Sequence, residues 1–143
     1  MAARRNFVAA LAACAAIALL VDPVAVRAAP PTVEIIALPH SPVQTALKPV
    51  RDFLATLGGR VNVVEIDAES PAGEKRISAL GLKGHVPILL LINGSEQFKR
   101  PDGTAVLFKD FPAKAGEPLG INGSWSVADF ETAVNAALGN AAK

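Results

Sequence analysis

Val33-Glu34-Ile35-Ile36-Ala37-Leu38-Pro39-His40-Ser41-Pro42-Val43-Gln44 is the stretch that decides the fold. Its first six residues are mostly β-branched or aliphatic and lie between Pro31 and Pro39, the pattern of a buried strand. Ser41-Pro42 then predicts a helix start, with Ser41 as N-cap, Pro42 at the first helical position and Gln44 completing a capping box. Val43, Leu47, Val50, Leu54 and Leu57 follow at alternating steps of four and three, an apolar stripe on one helical face. Pro49 lies inside that helix and is expected to kink it, and Gly58-Gly59 to end it.

Downstream, residues 61–67 read as a second strand, and Ser70-Pro71 opens a second helix with Ile77 and Leu80 facing inward and Gly81 closing it. Pro87 precedes the most hydrophobic strand, residues 88–92, which ends at the hairpin signal Asn93-Gly94. Residues 95–100 and 104–111 read as further strands around the turn Pro101-Asp102-Gly103, and residues 112–123 as loop. The last helix carries Ser126 as N-cap, Asp129 three residues on, and Trp125 with Phe130 as a hydrophobic staple. Val127, Phe130, Val134 and Leu138 form its inner face, with Gly139 as terminator. The strand–helix–strand opening requires two parallel strands joined by a right-handed crossover, to which the hairpin adds antiparallel strands. The expected architecture is α/β: one mixed sheet with helices on both faces.

Upstream, Arg4-Arg5 precedes fifteen uncharged residues, Phe7 to Val21, followed by Asp22-Pro23 and Val26-Arg27-Ala28. That is the layout of an export signal, too short in its apolar run for a spanning helix of ~20 residues. Cleavage is expected after Ala28, leaving residues 29–143 with a net charge of −1. Arg4-Arg5-Asn6-Phe7-Val8 resembles a twin-arginine signal, which implies export of a folded chain to the bacterial periplasm. Leu11-Ala12-Ala13-Cys14 resembles a lipoprotein site, but the apolar run continues to Val21, which argues against a lipid anchor there.

The whole chain has 143 residues, 51% apolar and 19% charged, enough for one domain with a core. A formal net charge of +1 gives no electrostatic footprint for nucleic acid. With Cys14 the single cysteine, neither an internal disulfide nor a cysteine-based zinc cluster can form. The phosphate-loop, dinucleotide and His-Glu-x-x-His patterns do not occur. A hydrolase built on Ser41, a histidine and a carboxylate would lack a nucleophile elbow.

The element order, the internal Pro49, the strand ending in Ile66-Asp67 and the segment Gly81-Leu82-Lys83-Gly84-His85-Val86-Pro87 together resemble the thioredoxin fold. The resemblance covers about Thr32 to Leu138 and implies a thioredoxin-like domain over residues 29–143, with Val86-Pro87 as a cis bond. It places the family's Cys-x-x-Cys slot at residues 40–43, or at 41–44 if Pro49 is matched to the family's helix proline. Neither register holds a cysteine, and thiol–disulfide exchange needs a thiolate. Residues 29–143 are therefore excluded from thioredoxin-type redox chemistry.

Two functional expectations remain. The first is a non-catalytic periplasmic protein that binds a partner protein in an accessory or chaperone-like role. Its surface would comprise His40, Ser41, Pro42, His85, Val86 and Pro87, with Phe111, Leu119 and Ile121 from the long loop. The alternative is a metal-binding or metal-delivery protein holding copper, zinc or nickel through His40 and His85. An enzyme with a non-thiol mechanism is a third class, for which no residue constellation stands out. Trp125 and Phe108 are assigned to the chain's own core rather than to an interface.

Overall fold

The computed structural model describes residues 29–113 and 122–141; residues 1–28, 114–121 and 142–143 lie outside them. Strand β1 (Thr32–Ala37) leads into helix α1 (Ser41–Leu57), whose end at Gly58 (φ 53°) passes through a short 3-10 turn to β2 (Asn62–Asp67). Helix α2 (Pro71–Ala79), strand β3 (Ile88–Ile92), the hairpin β4 (Gln97–Lys99) and β5 (Ala105–Leu107), and helix α3 (Val127–Ala141) follow.

The sheet runs β2-β1-β3, with β1 parallel to β2 and antiparallel to β3. It is a mixed sheet whose parallel pair is the one the strand–helix–strand opening requires; β4 and β5, expected to join it, pair with each other in a separate two-stranded sheet. Beyond β3 the chain at Phe108–Asp110 supplies a further antiparallel row: Leu90 N–H donates to Phe108 O (2.9 Å) and Asp110 N–H to Ile88 O (2.9 Å). One edge of the sheet is thereby covered, while β2 forms the other edge.

Two ion pairs identify what covers each face. Successive strand residues point to opposite faces. Glu34 on β1 holds Arg76 of α2 in a bidentate pair (2.8 and 2.7 Å). Glu65 is in register with Ile35, on the opposite face, and holds Arg51 of α1 (2.9, 3.2 and 2.9 Å). Helix α2 therefore lies over one face and α1 over the other. Helix α3 joins α1, its Phe130 meeting Phe53 edge-on at 6.4 Å.

The stripe read from the sequence of α1 is the buried one: Val43, Leu47, Val50, Leu54 and Leu57 all face the core. Its cap differs from expectation. His40, in extended backbone, is the N-cap and makes no side-chain cap bond, whereas Ser41 is already helical. The Gln44 amide, instead of closing a capping box, reaches back and donates to Leu38 O (2.7 Å). Pro42 is tolerated because first-turn N–H groups have no intrahelical acceptor. The helix runs uninterrupted through Pro49.

Ser70 caps α2, accepting from Gly73 N–H (3.1 Å), and Gly81 (φ 71°) closes it with Leu82 N–H donating to Ile77 O. The Asn93-Gly94 turn has positive φ at both residues (51° and 83°), the geometry that suits a two-residue hairpin.

The α3 capping box forms as the sequence predicts. Ser126 Oγ accepts from Asp129 N–H (3.2 Å), and Ser126 N–H donates to Asp129 Oδ2 (2.8 Å). Arg100, from the end of β4, adds a bidentate pair to the same carboxylate (2.7 and 2.7 Å). These donors, Arg100 first and Ser126 after it, hold the Asp129 carboxyl at about 2 against the opposing effect of burial. Gly139 does not end the helix, which continues to Ala141; one helical glycine is a penalty of only ~1 kcal/mol.

Trp125 and Phe108 are core residues, as expected. Phe108 stacks on Phe98 (6.0 Å) and meets Trp125 (5.9 Å) and Phe130 (5.6 Å) edge-on. Trp125 Nε1–H donates to Lys109 O (3.1 Å), so the indole is satisfied although buried.

Candidate functional site

At the carboxyl end of β1 three segments are fastened together. Leu38 N–H donates to Pro87 O (3.1 Å), tying the strand end to the loop that enters β3, and Gln44 ties the start of α1 to Leu38. Ala68 N–H donates to Ala37 O (3.0 Å) and so brings in the end of β2. Ligand sites of open α/β sheets commonly lie outside the carboxyl ends of parallel strands, the position of this junction.

The end of β2 is a compact acidic turn. Asp67 Oδ1 accepts from Glu69 N–H (2.8 Å), and Asp67 O accepts from Ser70 N–H (3.1 Å) and Ser70 Oγ–H (2.6 Å). His40 Nε2 pairs with Glu69 Oε1 at 3.1 Å, and both side chains are more than half exposed. A pair so open to water adds little to stability and chiefly orients the ring.

Between α1, β1 and β2 lies a cleft of about 310 Å³. Ile35, Ala37 and Pro39 give it an apolar lining, and Gln44, Arg51, Glu65 and Asp67 a polar one. The guanidinium of Arg51 is already engaged by Glu65, so the charge left uncompensated among these lining groups is that of Asp67.

The structure distributes the sequence-derived site residues unevenly. His40, Ser41 and Pro42 are exposed at the start of α1, and the Leu38–Pro87 bond brings the β3 entry loop to that end of the molecule. His85 is exposed and Pro87 half-buried, but Val86 is 3% exposed and belongs to the core, so it cannot face a partner. The Val86–Pro87 bond is trans, not cis. The chain turns instead at Gly81 and Gly84 (φ 71° and 85°), and these left-handed residues bring it to β3 without a cis peptide. Phe111 is half-buried against the core; Leu119 and Ile121 lie outside the described residues.

His40 engages Glu69 rather than His85, and among the described residues no group of three His, Cys, Asp or Glu is placed to hold a metal ion. Neither Glu69 nor the cleft lined by Arg51, Glu65 and Asp67 is marked as a site by any sequence motif. The one local signal is that Asp67 ends a strand and Glu69 follows it.

No protein-family model, curated protein or solved structure matches this chain. No helix among the described residues is long and apolar enough to cross a membrane.

Proposed function

We propose that the chain is an exported, thioredoxin-like periplasmic protein without redox chemistry, which binds a partner protein in an accessory or chaperone-like role. The observation that carries this reading is the junction at the carboxyl end of β1. There the start of α1 and the β3 entry loop meet, held by the 3.1 Å Leu38–Pro87 bond, where a thioredoxin would hold its cysteine pair. His40, Ser41, Pro42 and Val43 stand in that slot, and the sequence has no cysteine after Cys14. Support for the fold comes from the β2-β1-β3 order with its antiparallel extension; support for export comes from the twin-arginine-like start and the apolar run behind it. What remains at the junction is exposed polar surface on a rigid frame, suited to recognition rather than to electron transfer.

Native mass spectrometry of the protein isolated gently from its own periplasm, with and without chelator, tests the reading. The expected result is the chain joined to a second polypeptide and indifferent to chelator. A chelator-sensitive metal mass, lost when His40→Ala and His85→Ala are combined, would overturn it in favour of a metal carrier. The chain found alone would also count against it.

A further inference from the structure

We propose that the outer edge of β2, together with the cleft beside it, receives an extended segment of the partner polypeptide carrying a lysine or arginine opposite Asp67. The inference rests on the partner-binding reading above and supplies the partner's chemistry.

The edge is open in a definite pattern. Asn62 N–H donates to Pro31 O (2.9 Å) and Ala68 N–H to Ala37 O, so even-numbered residues of this segment turn their backbone groups toward β1. By alternation, Val63, Glu65 and Asp67 turn theirs outward. Asp67 O is used by Ser70, and among the described residues the outward groups of Val63 and Glu65 and the N–H of Asp67 have no partner. The side chains agree: Val63 and Val64 are 41% and 36% exposed, unusual for adjacent valines in a strand. An unpaired strand with exposed β-branched residues is a template for strand addition.

Charge and shape select the occupant. A residue of an added strand that lies opposite Glu65 or Asp67 projects over the α1 face, where the cleft opens. The cleft has room for one long side chain, whose methylenes would lie chiefly on the exposed Pro39, since Ile35 and Ala37 present little surface. Among the described residues no hydrogen bond is made to Asp67 Oδ2 or Gln44 Oε1. Two free acceptors and an uncompensated carboxylate suit an ammonium or guanidinium head.

The test is a titration of the full chain with a capped seven-residue peptide of alternating valine and lysine between threonine ends, followed by amide hydrogen exchange. The expected result is slowed exchange at Val63, Glu65 and Asp67 but not at Val64 or Ile66, with glutamate in place of lysine abolishing the effect. Asp67→Asn keeps the Oδ1 turn acceptor and should weaken binding roughly fivefold, the scale of one partly exposed ion pair. Val63→Pro removes an outward N–H without touching the β1 ladder and should block binding while Trp125 fluorescence stays native.

Protection that rises with protein concentration in the absence of peptide would overturn the proposal in favour of a second copy of this chain. The co-isolated partner separates the two readings. A partner that binds while the β2 amides exchange freely overturns the edge site and leaves partner binding intact; no partner and no peptide binding removes both.

Discussion

Asp129→Asn removes one charge from the point where the hairpin meets α3, and its effect can be worked out as a function of pH. In the folded chain the carboxyl sits at about 2, held down first by Arg100 and then by Ser126. In the unfolded chain it returns to about 3.9. Folding lowers this pKa, so the stabilisation is fully present above the unfolded value and disappears as pH falls through the folded one. The difference corresponds to roughly 2 kcal/mol at pH 7, about half of that at pH 3 and only a small remainder at pH 2. The Asp129 side chain is largely buried, but its partner Arg100 is 32% exposed, so solvent screening makes these figures upper values. Urea unfolding followed by Trp125 fluorescence, at steps from pH 7 to pH 2, measures them. The expected outcome is an Asp129→Asn chain up to roughly 2 kcal/mol less stable at neutral pH, with the two curves converging toward pH 2. A gap that persists undiminished at pH 2 would mean that the loss is one of packing, and would refute the electrostatic account.

Three further predictions use the same unfolding assay. A Cβ on Gly73 would lie 2.1 Å from Asp67 O, whereas one on Gly139 would meet nothing within 4 Å. Gly73→Ala should therefore lose about 2 kcal/mol by forcing α2 off the end of β2, and Gly139→Ala should gain about 1 kcal/mol from helix propensity alone. Phe108→Ala empties the centre of the aromatic cluster and should lose about 3–5 kcal/mol, a large part of the stability of a domain this size. A loss below about 1 kcal/mol would mean that the cluster collapses around the gap.

The parts of the fold legible in the sequence are those set by neighbours along the chain. The Val43–Leu57 stripe, the Ser126–Asp129 capping box and the Asn93-Gly94 turn each depend on a few consecutive residues whose chemistry permits one local geometry. The failures have a common cause. Ser41 looks like a cap until Gln44 is seen to bond Leu38, and Val86-Pro87 looks like a tight turn until Gly81 and Gly84 do the turning. The pairs Glu34–Arg76 and Arg100–Asp129 span 42 and 29 residues, and no periodicity announces them. The cleft was equally hidden, because its lining residues converge only after β2 docks on β1.

The strand order also explains why the two sheet edges differ. The two-residue turn after β3 sends the chain outward through β4 and β5 and returns it as Phe108–Asp110, which closes that side with Trp125 bonded over it. Nothing in the described chain returns to β2. An edge so exposed invites pairing with other strands, and natural sheets commonly restrain this with charge. Here the charge is acidic, Glu65 and Asp67, with Glu65 already spoken for by Arg51. A carboxylate left over at the end of an open edge disfavours acidic or purely apolar strands and accepts a basic one. In this way one residue type can both keep the edge free of unspecific partners and define the specific one.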